Sequence, residues 1–310
     1  MSRLGLMRGT SSSATPAGSN PGLPGPSRTS SLSRRQQSLV GVARWPDPQY
    51  NNEDSPGQRA YGQSFRKASR EIGSQISKGK ISSFNDLWRS AREWRSNAAG
   101  DRSQTFYTQR DPNERMPSYT PLAEQYSYIK DRYSSAEGGS VERHPVRSLP
   151  PMRRFQIEDE IDGQPVRLTS IMMSTDPEAD RNSGVYLNLR SAGAHYQGEP
   201  HHIEHTRASE VERIMSHAES LYNRAVDPSI PNDEALTTMG ELHWWVTHAM
   251  PDDRGSAAKA ELTIRSIAQS RGMDLPPYSK GFVPDLEAMT SSRSDFTRTY
   301  PSRFDWPSRS

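Results

Sequence analysis

The stretch Glu241-Leu-His-Trp-Trp-Val-Thr-His248-Ala-Met-Pro-Asp-Asp-Arg254-Gly255-Ser256-Ala-Ala-Lys-Ala-Glu261 constrains the fold more than any other part of the chain. An apolar helical pattern (Leu236, Met239, Leu242, Trp245, Val246, Ala249) opens after Pro231-Asn232-Asp233-Glu234 and runs into a polar turn. A second pattern (Ala260, Ile264, Ile267, Ala268) opens at Gly255-Ser256 and stops at Arg271-Gly272, with Pro276-Pro277 beyond. Acidic residues at a helix start, and a glycine followed by prolines past a helix end, are boundary signals with a mechanism. Two helices joined by so short a turn form a hairpin, and Trp244 and Trp245 require a core to cover them.

Upstream the periodicity changes from helical to alternating. Arg154-Phe155-Gln-Ile157-Glu-Asp-Glu-Ile161 alternates apolar and polar residues, Asp162-Gly163 is a tight-turn signal, and Val166-Arg-Leu168-Thr-Ser-Ile171-Met-Met173 reads as the returning strand. Val185-Tyr-Leu187-Asn-Leu189 is predicted as a third strand, following a turn at Asp180-Arg-Asn-Ser-Gly184. Val211, Ile214, Met215, Ala218, Leu221 and Tyr222 trace one stripe of a further helix. The fold class expected is α+β: a small antiparallel sheet packed by the helical hairpin, behind a long disordered N-terminal region. The compact domain is placed at 151–310, and its last aromatic residues, Phe282 to Trp306, are expected to lie over it as loop with one short helix.

Composition bears on the remainder. Only 32% of the 310 residues are hydrophobic and the mean hydropathy is −0.90, so much of the chain has little apolar surface to set against its ordering entropy. Residues 1–60, with Ser11-Ser12-Ser13 and Asn20-Pro-Gly-Leu-Pro-Gly-Pro26, are read as disordered. Over 61–100, Phe65, Ile72, Ile76, Phe84, Leu87, Trp88, Ala91 and Trp94 mark an amphipathic helical segment whose polar side carries Arg66, Lys67, Arg70, Arg89, Arg92 and Arg95. A helix of this kind docks its aromatic face on the main domain and solvates its basic one. Residues 101–150, interrupted by Pro112, Pro117, Pro121, Gly138-Gly139 and Pro145, read as a wrapping linker.

The absence of cysteine excludes a disulfide framework, a thiolate zinc site and a cysteine nucleophile. No stretch is apolar enough for a transmembrane segment, and no apolar run of a Sec signal opens the chain. A net charge of +2 without a basic stripe argues against a specific nucleic-acid partner. No acidic residue precedes Asp47, whereas Arg3, Arg8, Arg28, Arg34, Arg35 and Arg44 do. This flexible, Ser-rich, acid-free N-terminus resembles the export signals of bacterial type III secreted effectors. With the missing cysteines and the size of the C-terminal domain, the whole chain resembles a type III effector of plant-associated bacteria. That resemblance implies secretion into a host cell, a host protein that is bound or modified, and a secretion chaperone as partner of the N-terminal region.

Three sets of residues are candidates for chemistry. His248 at the end of one helix, Arg254, and the backbone of Gly255 and Ser256 at the start of the next can build an anion site, since helix N-termini present free amides and guanidinium groups bind phosphates through two bonds. The order helix, His-centred loop, helix is similar to the Fic family, whose motif is His-Pro-Phe-x-Asp/Glu-Gly-Asn-Gly-Arg. The resemblance implies His248 as general base, Asp252 as metal-positioning acid and Gly255 in the phosphate cradle; the chain departs from the motif at Ala249, Met250, Asp253, Arg254 and Ser256.

A second set, Arg154, Ser174 with Thr175, and Glu210 with Glu212, resembles the ordered motifs of mono-ADP-ribosyltransferases and implies the last Glu as the group that stabilises an oxocarbenium-like transition state. The third is a histidine cluster, His195, His201, His202, His205 and His217 with Glu204, whose residue types suit a metal but whose spacing and neighbouring Gly198 and Pro200 suit a polar loop or strand edge. A transferase is the enzyme class these motifs admit, no cofactor follows from them, and a noncatalytic protein-binding module is the alternative.

Overall fold

The computed structural model describes residues 32–100, 104–114, 118–143, 150–182 and 200–307. Among them are ten helices and one five-stranded sheet. In chain order the elements are α1 (Arg34–Leu39), α2 (Pro56–Ser77), α3 (Phe84–Ala99), β1 (Tyr119–Pro121), α4 (Ser127–Ser134), β2 (Ser140–Glu142), β3 (Met152–Ile161), β4 (Gln164–Ser174) and α5 (Pro177–Asn182). They continue with β5 (His202–Glu204), α6 (Val211–Val226), α7 (Asn232–Ala249), α8 (Ser256–Ser270), α9 (Pro284–Met289) and α10 (Arg293–Thr299).

The helix hairpin read from the sequence is α7 and α8. Asp233 and Glu234 sit in the first turn of α7, where the helix dipole favours negative charge, and α8 ends in Gly272 at φ 73°, with Met273 N–H donating back to the Ala268 carbonyl. Thirteen of the eighteen residues of α7 are buried, Trp244 and Trp245 completely. Helix α2 crosses α8 closely enough that a Cβ on Gly73 would lie 2.6 Å from Gln269 Cβ, which is why that position tolerates only glycine without a shift. The resulting core joins Phe65, Phe84, Leu87 and Trp88 to Leu242, Trp245, Ile264 and Ile267.

The sheet runs β1-β5-β4-β3-β2, antiparallel throughout. The β3–β4 turn places Asp162 and Gly163 at φ 53° and 71°, the pair of positive angles that two-residue hairpins prefer. One face of the sheet (Ile171, Met173, Ile203) packs on Leu122, Ile129, Val283, Leu286 and Met289 in a second, smaller core. The other face carries a polar patch of Arg154, Gln156, Ser170 and Glu204 beside the buried Leu168 and Met172.

Several expectations need correction. Residues 32–60, assigned to the disordered region, hold α1 with a capping box at Ser33, bury Leu32, Leu39, Val40 and Val42, and set Arg44 in a buried ion pair with Glu53 at 2.7 Å. The linker assigned to 101–150 contributes β1, β2 and α4 and buries Leu122 and Ile129. The stretch His202–Glu204, read as a polar loop or strand edge, is a strand between β1 and β4. The C-terminal run holds two short helices, α9 and α10, rather than one. The strand expected at Val185–Leu189 lies outside the described residues.

Candidate functional site

The α7–α8 turn builds a charge centre pointing inward. Asp252, with no exposed surface, accepts hydrogen bonds from Arg92 at 2.7 Å, Lys259 at 2.5 Å and Trp88 Nε1 at 3.1 Å. Burial pushes the Lys259 ammonium pKa down, against the pull of the Asp252 carboxylate. Lys259 also donates to the Phe106 carbonyl at 2.7 Å, and Gln109 bridges to Asp252 through the backbone, so the segment 104–110 is strapped over the turn. On the outside of that strap the Phe106 ring takes the Arg95 guanidinium at 4.1 Å and the exposed Arg254 guanidinium at 5.1 Å from its centroid. Gly255, at φ 73°, precedes α8 without a side-chain cap, leaving the first amides of that helix to solvent or ligand.

His248 is placed elsewhere. It is fully buried; Nε2–H donates to the Ala288 carbonyl at 3.0 Å and Nδ1 accepts from the Thr169 hydroxyl at 2.8 Å. Burial lowers its pKa to about 3. The geometry expected of a base facing a substrate is therefore replaced by a neutral imidazole stitching α7 to β4 and α9. Asp252 is likewise committed to two internal cations, and Ser256 Oγ donates to the Asp252 carbonyl at 3.2 Å. Arg254 is the member of that sequence set that reaches solvent.

The polar patch of the sheet floors a cleft of about 840 Å³ at the entry to α6. Arg154 lies across it, bonded to Glu142 at 2.9 Å, Glu204 at 2.8 Å and Ser170 at 2.7 Å. Ser170 donates on to Gln156 at 2.9 Å. Side chains on one face of neighbouring strands are the natural units of such a network. At the wall, His205 is 4% exposed, shares a hydrogen bond with Thr120 at 2.9 Å, and has no partner for Nδ1 among the described residues. Burial lowers its pKa to about 3, so the imidazole is neutral. Arg207 and Glu210 complete the far side. Arg110 joins this cleft to the α7–α8 turn: its side chain donates to Thr206 and Ala249 carbonyls, at 2.8 and 3.4 Å, and pairs with Glu114.

Of the second sequence set, Arg154 and Glu210 share the cleft, while Ser174 closes the end of β4 beside His201 and Glu212 sits exposed in the first turn of α6. The histidines disperse: His201 accepts from Ser174 N–H at 3.1 Å, His202 rests on the Tyr119 ring, and His217 meets Trp245. His195 lies outside the described residues. Among the described residues no group of three or more His, Asp or Glu is placed to hold a metal. Sequence reasoning missed Arg92, Lys259, Phe106 and Thr120. Trp88 and Arg92, one helical turn apart, were a signal for a shared partner; Phe106 carried none.

The described residues thus form a mixed α+β body with a cleft on one face of its sheet. A family model described as "Avirulence protein", AvrB_AvrC, matches residues 4–307. The chain is also similar to "Avirulence protein B" of Pseudomonas savastanoi pv. glycinea, 33% identical over 292 residues that cover 91% of this chain and 90% of that protein. The chain belongs to the AvrB/AvrC avirulence protein family, a bacterial type III effector family of plant pathogens whose members are delivered into host cells.

Proposed function

We propose that the protein acts inside the host cell by holding a segment of a host protein in the cleft over the polar patch of the sheet. The observation that carries this reading is the cleft itself, about 840 Å³ and lined by charged and polar side chains including Arg154, Gln156, Glu204, Arg207 and Glu210, the kind of concave site with a few placed polar groups that takes a ligand. The floor supports it: Arg154 is held by Glu142, Glu204 and Ser170, so it orders the carboxylates, while at the rim Arg207 is exposed and Glu210 is paired with Arg213 at 3.7 Å. A photo-crosslinking residue at Gln156 should give a discrete adduct in host extract that one at exposed Lys78 does not, and Arg207→Glu with Glu210→Arg should remove it. Identical adducts from both positions would sink the proposal. We further propose, from its acid-free composition, that the N-terminal region serves export and engages the secretion chaperone.

A second reading is favoured by Arg95 and Arg254 on the Phe106 ring beside the uncapped start of α8. These groups suit a phosphate-bearing co-substrate, as a nucleotidyl or ADP-ribosyl transferase needs. A rise in melting temperature with ATP and magnesium or with NAD, lost in Arg254→Ala, supports it; no shift with either removes it.

A further inference from the structure

Three imidazoles are sealed inside the fold at its internal seams. His248 joins α7 to β4 and α9 through Thr169 and Ala288. His243, on the same helix, shares hydrogen bonds with Tyr300 at 2.8 Å and Tyr278 at 3.3 Å, fastening the C-terminal segment. His205 joins the end of β5 to Thr120 of β1. Their exposures are 0%, 0% and 4%.

We infer that His205, His243 and His248 together make this an acid-released fold, closed at neutral pH and opened by proton uptake at these three seams. None of the three is bonded to a carboxylate among the described residues. The groups facing His205 are the Thr120 hydroxyl, Arg110, His202 and His248; those facing His243 are the two phenols, Phe296 and Arg265; those facing His248 are the Thr169 hydroxyl, the Ala288 carbonyl and the Trp244 ring. The hydroxyls can reverse their hydrogen bonds to suit an imidazolium, so the obstacle is the charge itself, and Arg110 and Arg265 add to it with the same sign.

Burial lowers all three pKa values to about 3, from an ordinary 6.5. Between those limits the unfolded chain binds protons that the folded chain refuses; stability is complete above about pH 6.5 and is lost progressively as pH falls. Each histidine multiplies the unfolding constant about tenfold per pH unit well below 6.5, and the three together about a thousandfold. Asp285 works in the opposite sense, because burial raises its pKa to about 6 and the folded state then takes up a proton before the unfolded one. The contribution of each histidine is therefore read from a difference between variants.

Urea unfolding of the full chain, followed by tryptophan fluorescence from pH 7.5 to 4.5, tests this. Against the wild type, His243→Gln and His248→Gln should each flatten the pH dependence by about tenfold per unit below pH 6 while leaving it unchanged above pH 7. Proton NMR of the wild-type imidazoles, assigned to residues, should show those of His205, His243 and His248 unmoved between pH 7.5 and 5.5, which decides the matter if a variant does not fold. An unaltered slope in both variants, or titration of every imidazole near 6.5, overturns the inference.

Discussion

At the scale of the residue, Asp252 is the centre of a buried charge cluster. It is the one carboxylate bonded to Arg92 and Lys259, both themselves buried. Taking one partner out of a buried ion cluster leaves charge with neither water nor a counterion, a loss of about 3–5 kcal/mol in comparable cases. Asp252→Ala should therefore lower the unfolding free energy by about that amount in urea titration, and a loss below about 1 kcal/mol would show that water reaches the site. Asp252 and its neighbour Arg254 stand two positions apart in one turn yet have opposite roles, one locking the strap of 104–110 from within and the other resting on its outer surface. Residue types alone did not separate those roles. The distinction depends on Lys259 and Phe106, which reach the turn from different parts of the chain.

At the scale of the element, what was legible in the sequence followed from pattern and what was not followed from pairing. The α7–α8 hairpin, the Asp162-Gly163 turn and the strands β3 and β4 announced themselves through periodicity and backbone conformation, which are local properties. His248 was misplaced because an amphipathic stripe implies a wet opposite face, whereas α7 also buries Thr238, His243, Thr247 and His248. Those polar residues are admitted to the interior by partners such as Thr169, Ala288 and Tyr300, distant in sequence. Residues 32–60 were misread for a similar reason: their few apolar side chains are diluted in composition, and their order rests on the Arg44–Glu53 pair and on docking against the C-terminal segment. The three-residue strand β5 is too short to carry a period at all. The cleft was half legible, since Arg154 and Glu210 were singled out while His205 was grouped with histidines that the fold sends elsewhere.

At the scale of the whole molecule, residues 32–60 belong to the folded body. Leu32 and Val40 belong to the main core with Phe65, and a Cβ on Gly62 would lie 2.0 Å from the Ser38 carbonyl oxygen, so close do α1 and α2 run. A chain begun at residue 61 should melt lower than the full chain by at least several degrees, since about 1 kcal/mol shifts the melting of a domain this large by about 2–4 °C. Circular dichroism of the two chains checks this; equal melting would refute the assignment of 32–60 to the body.

The same segment reaches across to the far end of the chain. Arg44 donates to the Tyr278 carbonyl at 2.8 Å and pairs with Asp305 at 3.4 Å, and Gln36 donates to the Asp305 carbonyl at 2.9 Å. The beginning and the end of the folded body are thus sewn along one seam. A pull on residues 36–44 is therefore borne in part by residues 278 and 305, more than two hundred positions further along the chain, rather than by α1 alone.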